Sequence, residues 1–334
     1  MLYVLVNYEY KNLFDKIRIE SPDSILLDLV DFSIPSKKLQ FQLKKANAII
    51  GQVNLNDSQY KIAKKLRIIQ TLSAGYDKIN LTKAKYHKII IANNNGANAI
   101  SVAEHSLMLI LALYRNLIFH HESVINGSWK NLKYQNKRLD GKTLGIIGLG
   151  HIGLALAKIA SAMGLNINYF DIERKVEVEK KLGIKYIFPE ELLSKSDIVS
   201  YHVPKTKYTH KIINKDSLNQ MRRDSILINA SRGHIHDEEA IYNALSKGKI
   251  FGAGLDVFEI EPLQKNSPLK KLKNVLLTPH SAPDEDSYPR AIRNAITNII
   301  LVSEGKSPLS CAKDYNETTT KFLTKFPDVK LFYE

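Results

Sequence analysis

Short apolar runs alternate with stretches of helical spacing along almost the whole chain. Before residue 100 the runs Leu2 to Val6, Ile25 to Leu29, Ala48 to Ile50, Leu66 to Leu72 and Ile89 to Ala92 read as buried strands, with helical patterns such as Lys37 to Lys45 between them. Strands that alternate with helices imply a parallel sheet covered on both faces. From Ser101 to about Asn126 the spacing predicts one long helix, with Ser101 as its cap and Glu104 three residues on, as in a capping box. A second series then predicts six strands, at Thr143 to Ile147, Ile167 to Phe170, Ile198 to Tyr201, Ile226 to Asn229, Gly252 to Val257 and Val275 to Leu277. Asp284 to Ser303 is amphipathic and helical, whereas Pro308 to Glu334 is polar, without convincing periodicity, and reads as an extended or partly ordered tail.

The expectation is therefore an α/β protein of two domains, each a parallel sheet flanked by helices; 334 residues exceed the usual span of one. The second series carries a further signal at its first turn. Gly148-Leu149-Gly150-His151-Ile152-Gly153 follows a strand and opens a helix, an order that suits a dinucleotide pyrophosphate: the glycines allow a tight turn, and the helix N-terminus offers free N–H groups. The next strand ends in Asp171, at the offset where a carboxylate binds the adenosine ribose. That carboxylate favours NAD and would repel the extra phosphate of NADP, although Arg174 stands nearby.

Three strings fall just beyond the carboxyl ends of later strands, where such sheets bind ligands. In Asn229-Ala230-Ser231-Arg232-Gly233, Arg232 is placed to hold a carboxylate through two charged hydrogen bonds, or else is a solvated surface arginine. Asp256 closes one strand, His280 follows the next, and the loop between them brings back Glu261. A carboxylate beside an imidazole makes an acid–base pair able to donate to a carbonyl oxygen; a structural ion pair is the other reading. His202, in Tyr201-His202-Val203-Pro204, ends a strand on the cofactor side and reads as lining the adenosine pocket. His120, His121, His234 and His236 read as surface or interface residues, since no further ligand stands at metal spacing.

Together these strings resemble the D-isomer-specific 2-hydroxyacid dehydrogenases, over roughly residues 45 to 305. The resemblance implies a Rossmann doubly wound NAD domain over 99–284 and a smaller, discontinuous flavodoxin-like substrate domain over 1–98 and 285–334. It implies that Arg232 binds the substrate, that His280 is the general acid/base tuned by Glu261, and that Asp256 binds the nicotinamide carboxamide. His151, Ile152, Asp171, His202, Val203, Pro204, Thr209 and Ala230 would line the cofactor with Gly148, Gly150 and Gly153. In Leu72-Ser73-Ala74-Gly75-Tyr76-Asp77, backbone N–H groups around Ala74 and Gly75 would clamp the carboxylate. The helix over 101–126 would pack across a homodimer. Glu261, where formate dehydrogenases carry glutamine, disfavours formate; no lysine near Ala74 disfavours phosphite. What remains is a small 2-oxo acid or its D-2-hydroxy acid.

Composition adds bounds. The formal net charge of +14 favours acidic ligands, but the lysines are scattered and form no nucleic-acid motif, so nucleic acid is not an expected partner. Cys311 is the single cysteine and forms no disulfide within the chain; with an N-terminus that reads as a strand rather than a secretory signal, this places the protein in the cytoplasm as an expectation. No run approaches the roughly 20 apolar residues of a membrane span, and no metal is expected. The alternative function on the same residues is a non-catalytic NAD(H)-sensing scaffold, of the corepressor kind known among relatives of this fold.

Overall fold

A computed structural model describes residues 1–129, 136–284 and 286–326. The chain runs through β1 (Leu2–Asn7), α1 (Phe14–Glu20), β2 (Ile25–Val30), α2 (Lys37–Lys45), β3 (Ala48–Ile50), α3 (Asp57–Ile62), β4 (Ile68–Gln70), α4 (Leu81–Tyr86) and β5 (Ile90–Ala92). The helices α5 (Ala99–Tyr114) and α6 (Leu117–Ile125) follow, then β6 (Thr143–Ile147), α7 (His151–Ala162), β7 (Asn166–Phe170), α8 (Val176–Leu182) and β8 (Lys185–Tyr186). After them come α9 (Pro189–Lys195), β9 (Ile198–Tyr201), α10 (Lys215–Gln220), β10 (Ile226–Asn229), α11 (Glu238–Ser246), β11 (Gly252–Leu255), β12 (Val275–Leu277), α12 (Ser287–Ser303) and α13 (Tyr315–Lys325).

The chain divides into two compact units, one of Met1–Asn98 with Asp284–Asp314, the other of Ala99–Pro283 with Tyr315–Glu334. In the first unit, five parallel strands stand in the order β2-β1-β3-β4-β5, the 2-1-3-4-5 winding of a flavodoxin-like sheet. Its two faces carry separate apolar layers. Leu39, Leu43, Leu66 and Ile69 fill one, while Ile17, Ile50 and Ile68 meet Ile292, Ala295 and Ile299 of α12 in the other. Asn298 of α12 donates to Gln70 Oε1 at 2.8 Å and accepts from the Leu309 amide at 2.7 Å, so this buried amide is satisfied at both ends.

In the second unit, seven parallel strands stand in the order β12-β11-β10-β9-β6-β7-β8 among the described residues. Counted from β6, this is a doubly wound sheet whose order reverses between β6 and β9, and ligands bind at the carboxyl ends beside such a reversal. The core strands are mostly apolar, as burial on both faces demands: every residue of β9, β10 and β11 is buried, including the hydrogen-bonded Ser200 and Asn229.

Four expectations need correction. The single long helix is two, bent by 60° between α5 and α6, where Asn116 adopts a left-handed conformation (φ 46°) that interrupts the helical ladder. Since α5 begins at Ala99, Ser101 lies inside its first turn instead of capping it. The second sheet has a seventh strand, β8, too short at two residues to show a period. The tail is not extended up to Lys325: α13 belongs to the second unit, so the segment after Asp314 does not return to the first. Among the described residues no single helix is long and apolar enough to cross a membrane.

Candidate active site

The glycine turn between β6 and α7 has the geometry its sequence requires. Gly148 sits at φ +93°, and a Cβ there would stand 2.6 Å from the His202 carbonyl oxygen. At Gly153 a Cβ would overlap the Gly148 carbonyl, so this glycine lets α7 pack against the turn. Around Gly150, by contrast, the Cβ position is open. It caps the twelve-residue α7, whose first amides have no partner within the helix.

Beside this turn lies a pocket of about 110 Å³ bounded by Gly148 and Gly150, by Asp171 after β7, and by His202, Val203 and Pro204 after β9. Asp171 accepts from the Leu149 amide at 2.7 Å and the Glu173 amide at 2.8 Å; its burial, outweighing those bonds, raises its pKa above the usual carboxylate value. Arg174 is committed elsewhere, in a two-pronged pair with Glu179 (2.9 and 2.8 Å). His202 shares a 2.8 Å hydrogen bond with Ser200 through Nε2, and burial pushes its pKa down to about 4. Its Nδ1 is a buried polar atom with no partner among the described residues. Thr209 closes the loop by donating to the Pro204 carbonyl at 2.7 Å and accepting the Thr206 amide at 2.8 Å. A crowded glycine turn, an open approach at Gly150 and an unmet imidazole nitrogen fit a dinucleotide that spans turn and pocket.

Beyond β11 and β12 the sequence-derived residues draw together. His280 Nδ1 and Glu261 Oε2 are 2.8 Å apart, and Glu261 Oε1 accepts the Phe258 amide at 3.1 Å. Both side chains remain accessible, His280 at 44% and Glu261 at 38%. His280 adopts φ +53°, a costly conformation for a residue with a Cβ, and its amide is tied to the Asp256 carbonyl at 2.8 Å. Asp256 itself is fully buried. Its Oδ1 accepts from Thr278 Oγ1 (2.6 Å) and the Ser281 amide (2.9 Å), and Oδ2 accepts from the Ala282 amide (3.1 Å). Burial alone would raise its pKa, but these bonds and that of His105 prevail and hold it below the ordinary value.

Arg232 follows β10, the neighbour of β11. The turn that carries it is pinned by buried Asn229, which donates to the Arg232 carbonyl at 3.0 Å and accepts from the Ser231 amide and hydroxyl at 3.1 and 2.8 Å. At Gly233 a Cβ would overlap the Phe258 carbonyl. The Arg232 turn thus lies against the backbone that also offers the Phe258 amide to Glu261. Ala230 packs with Val102, Ile152 and Ala282. In the first unit the loop of Ala74 and Gly75 is held by Asn93, which donates to the Ala74 carbonyl at 2.8 Å, and by the Asn94 amide on the Ser73 carbonyl at 3.0 Å.

Three further residues contribute that the sequence patterns did not mark. His105, nearly two turns into α5, brings Nε2 to 3.0 Å from Thr278 Oγ1 and 3.3 Å from Asp256 Oδ1; its one signal in the sequence was its place next to Glu104. Tyr315 and Thr319 of α13 also line the pocket by Asp171. One assignment changes: His236 is fully buried, not superficial, with Nδ1 at 2.8 Å from Asn229 Nδ2.

The chain is similar to known proteins in both sequence and fold. The model of the D-isomer specific 2-hydroxyacid dehydrogenase NAD binding domain matches residues 107–282. A glyoxylate reductase of Korarchaeum cryptofilum is 37% identical over 286 residues, which cover 83% of this chain and 86% of that protein. A D-3-phosphoglycerate dehydrogenase of Archaeoglobus fulgidus is 38% identical over 243 residues, 72% of this chain but 46% of the longer relative. Among solved structures, a D-lactate dehydrogenase with NAD+ from Lactobacillus jensenii superposes with a TM-score of 0.77 at 26% identity, over 93% of this chain and all of that one.

Proposed function

The chain belongs to the D-isomer-specific 2-hydroxyacid dehydrogenase family, and from that premise we propose that it reduces a small 2-oxo acid, glyoxylate foremost, to the 2-hydroxy acid, of D configuration where C2 becomes a stereocentre, with His280 as the proton donor. It is an NAD-dependent oxidoreductase of the CH–OH group. When bound, NADH supplies the hydride that C2 of the substrate accepts. The remaining steps fall to side chains. Glu261, fixed by the Phe258 amide, takes the Nδ1–H of His280 and so directs the other ring nitrogen, Nε2, to carry the transferable proton. As negative charge grows on the carbonyl oxygen, His280 delivers that proton; in the reverse direction it removes it from the hydroxyl. Arg232 pairs with the substrate carboxylate, helped by the amides of Ala74 and Gly75.

The observation that carries this reading is the 2.8 Å contact of His280 Nδ1 with Glu261. Asp171 and the engagement of Arg174 by Glu179 support NAD over NADP. The glycines, His151 and Ile152 at the start of α7, and the His202 to Thr209 loop would hold the dinucleotide, and Asp256 Oδ2, with one acceptor site beyond the Ala282 amide, would meet the carboxamide. The substrate itself rests on the relatives: those named glyoxylate reductase are matched along most of their length.

We also infer a homodimer built on α5 and α6, because Met108, Leu117, Ile118, Val124 and Ile125 are exposed there. A cytoplasmic setting agrees with the single unpaired Cys311. The test is a panel of glyoxylate, hydroxypyruvate and pyruvate with NADH and NADPH in parallel. Turnover with NADH is expected; binding of NADH without turnover on any 2-oxo acid would favour the sensing scaffold.

A further inference from the structure

The tail beyond Asp314 forms one turn-spaced face, Tyr315, Thr319, Phe322 and Leu323, and turns it toward the second sheet. Phe322 is buried and meets Phe170 edge-on, with ring centroids 6.0 Å apart. Phe170 is the last residue of β7 and immediately precedes Asp171, so this contact fixes the helix beside the ribose-binding carboxylate. Thr319 is buried, Tyr315 half-buried, and both line the pocket shared by Gly148, Asp171 and Val203. Burial, and then the charges of Asp171 and Glu173, raise the Tyr315 phenol.

The opposite wall is latched to the same helix. Tyr208 Oη lies 2.8 Å from Thr320 Oγ1, and the Lys207 amide donates to Asn316 Oδ1 at 3.1 Å. Loop 204–209 therefore cannot move without releasing α13 or carrying it along. In a doubly wound dinucleotide fold the space between the second strand's carboxylate and the fourth strand's end receives the adenosine. Here that space has a wall that the strand–helix repeat does not supply.

We propose that α13 is the outer wall of the adenosine subsite, with Tyr315 and Thr319 as further cofactor-binding residues. The inference rests on NAD as the occupant of the pocket. Such a wall covers the adenine face that would otherwise stay in water, and the apolar area it removes contributes to affinity for any ligand with an adenosine end. The contribution is to binding: α13 lies away from His280 in the sheet order, so it touches no reacting atom.

The experiment is a titration of the full chain and of Tyr315→Ala and Thr319→Trp with NADH and, separately, with 5′-AMP, which occupies only the adenosine half. Thr319→Trp fills the space, Tyr315→Ala opens it, and circular dichroism reports whether each folds. The milder Thr320→Val removes only the latch to Tyr208 and keeps the test available if Trp does not fit. The expected result is a rise of at least fivefold in the dissociation constants of both ligands for Tyr315→Ala and Thr319→Trp, a smaller rise for Thr320→Val, and a loss that appears in KM for NADH more than in kcat. Unchanged affinities in folded variants would overturn the assignment while leaving NAD dependence intact. Tighter binding by Tyr315→Ala would overturn it too, since α13 would then be a plug. Failure of the unaltered chain to bind either ligand would instead remove the dinucleotide reading itself.

Discussion

Glu261 grips His280 with one carboxylate oxygen, 2.8 Å from Nδ1, while its other oxygen accepts the Phe258 amide at 3.1 Å. The carboxylate is therefore fixed before it orients the imidazole. Replacing His280 with Ala should lower the rate of 2-oxo acid reduction at least about 10²-fold, with NADH affinity little changed. Glu261→Gln, which keeps the shape but not the charge, should cost less than the loss of His280, because the amide oxygen can still accept the Nδ1–H and orient the ring. Stopped-flow following of NADH absorbance measures both. Near-normal turnover by the His280 variant would remove it from the chemistry.

The left-handed turn at His280 depends on Asp256, which collects the Thr278 hydroxyl and the Ser281 and Ala282 amides. In Asp256→Asn one oxygen becomes an NH2 that faces an amide donor. A loss of about 1–3 kcal/mol in unfolding free energy is expected, together with reduced kcat. Urea denaturation and initial rates on the same preparation decide it; a stable, fully active variant would show that the turn holds itself.

Two glycines should behave in opposite ways. Gly233→Ala drives a Cβ into the Phe258 carbonyl and should cost about 1–3 kcal/mol of stability. Gly150→Ala places a methyl in open space and should cost the free protein less than about 1 kcal/mol as a weaker helix cap, yet weaken NADH binding, since that space is where the diphosphate would approach. Thermal melts with and without NADH separate the two effects.

The proposed preference for NAD rests on Asp171 and on Arg174 together. The guanidinium is paired with Glu179 at 2.9 and 2.8 Å. Combining Asp171→Ser with Glu179→Gln should remove the repulsion and release the cation. The ratio of kcat/KM for NADH over NADPH is expected to fall at least about tenfold, roughly 1.4 kcal/mol. An unaltered ratio would place the discrimination elsewhere.

Burial holds His236 near a pKa of about 4, against the pull of Glu259 and Asp237 and with that of His234 and Lys211. An unfolded histidine titrates near about 6.5. Below that value the unfolded chain takes up a proton that the folded chain refuses, so the stability is complete above about pH 6.5 and drains away as pH falls toward about 4. At about pH 5 the loss for this residue is about 2 kcal/mol. Urea midpoints at about pH 7 and about pH 5 should differ accordingly, and His236→Leu should narrow the gap. Equal midpoints in the unaltered chain would contradict the buried, neutral state.

What the sequence determined by itself was everything that a local period or a fixed spacing encodes. Strands at Ala48–Ile50, Thr143–Ile147, Ile198–Tyr201, Ile226–Asn229 and Val275–Leu277 could be read to the residue, because strands in a covered parallel sheet are predominantly apolar runs bounded by polar or turn residues. The glycine turn was legible because backbone geometry there admits no side chain, and His280 with Glu261 because both follow strand ends.

The tertiary structure alone decided the rest. Asn116 could break the long helix because a left-handed residue leaves no mark on apolar spacing. The Asp256, Thr278 and His105 cluster joins residues far apart in the chain, and no local pattern records such a meeting. The helix α13 shows the same limit: its buried face includes a tyrosine and a threonine, polar by type, which are covered only because Phe170 and the pocket beside Asp171 lie beneath them. Periodicity reports what a segment must hide from water, whereas the partner that hides it is chosen by packing.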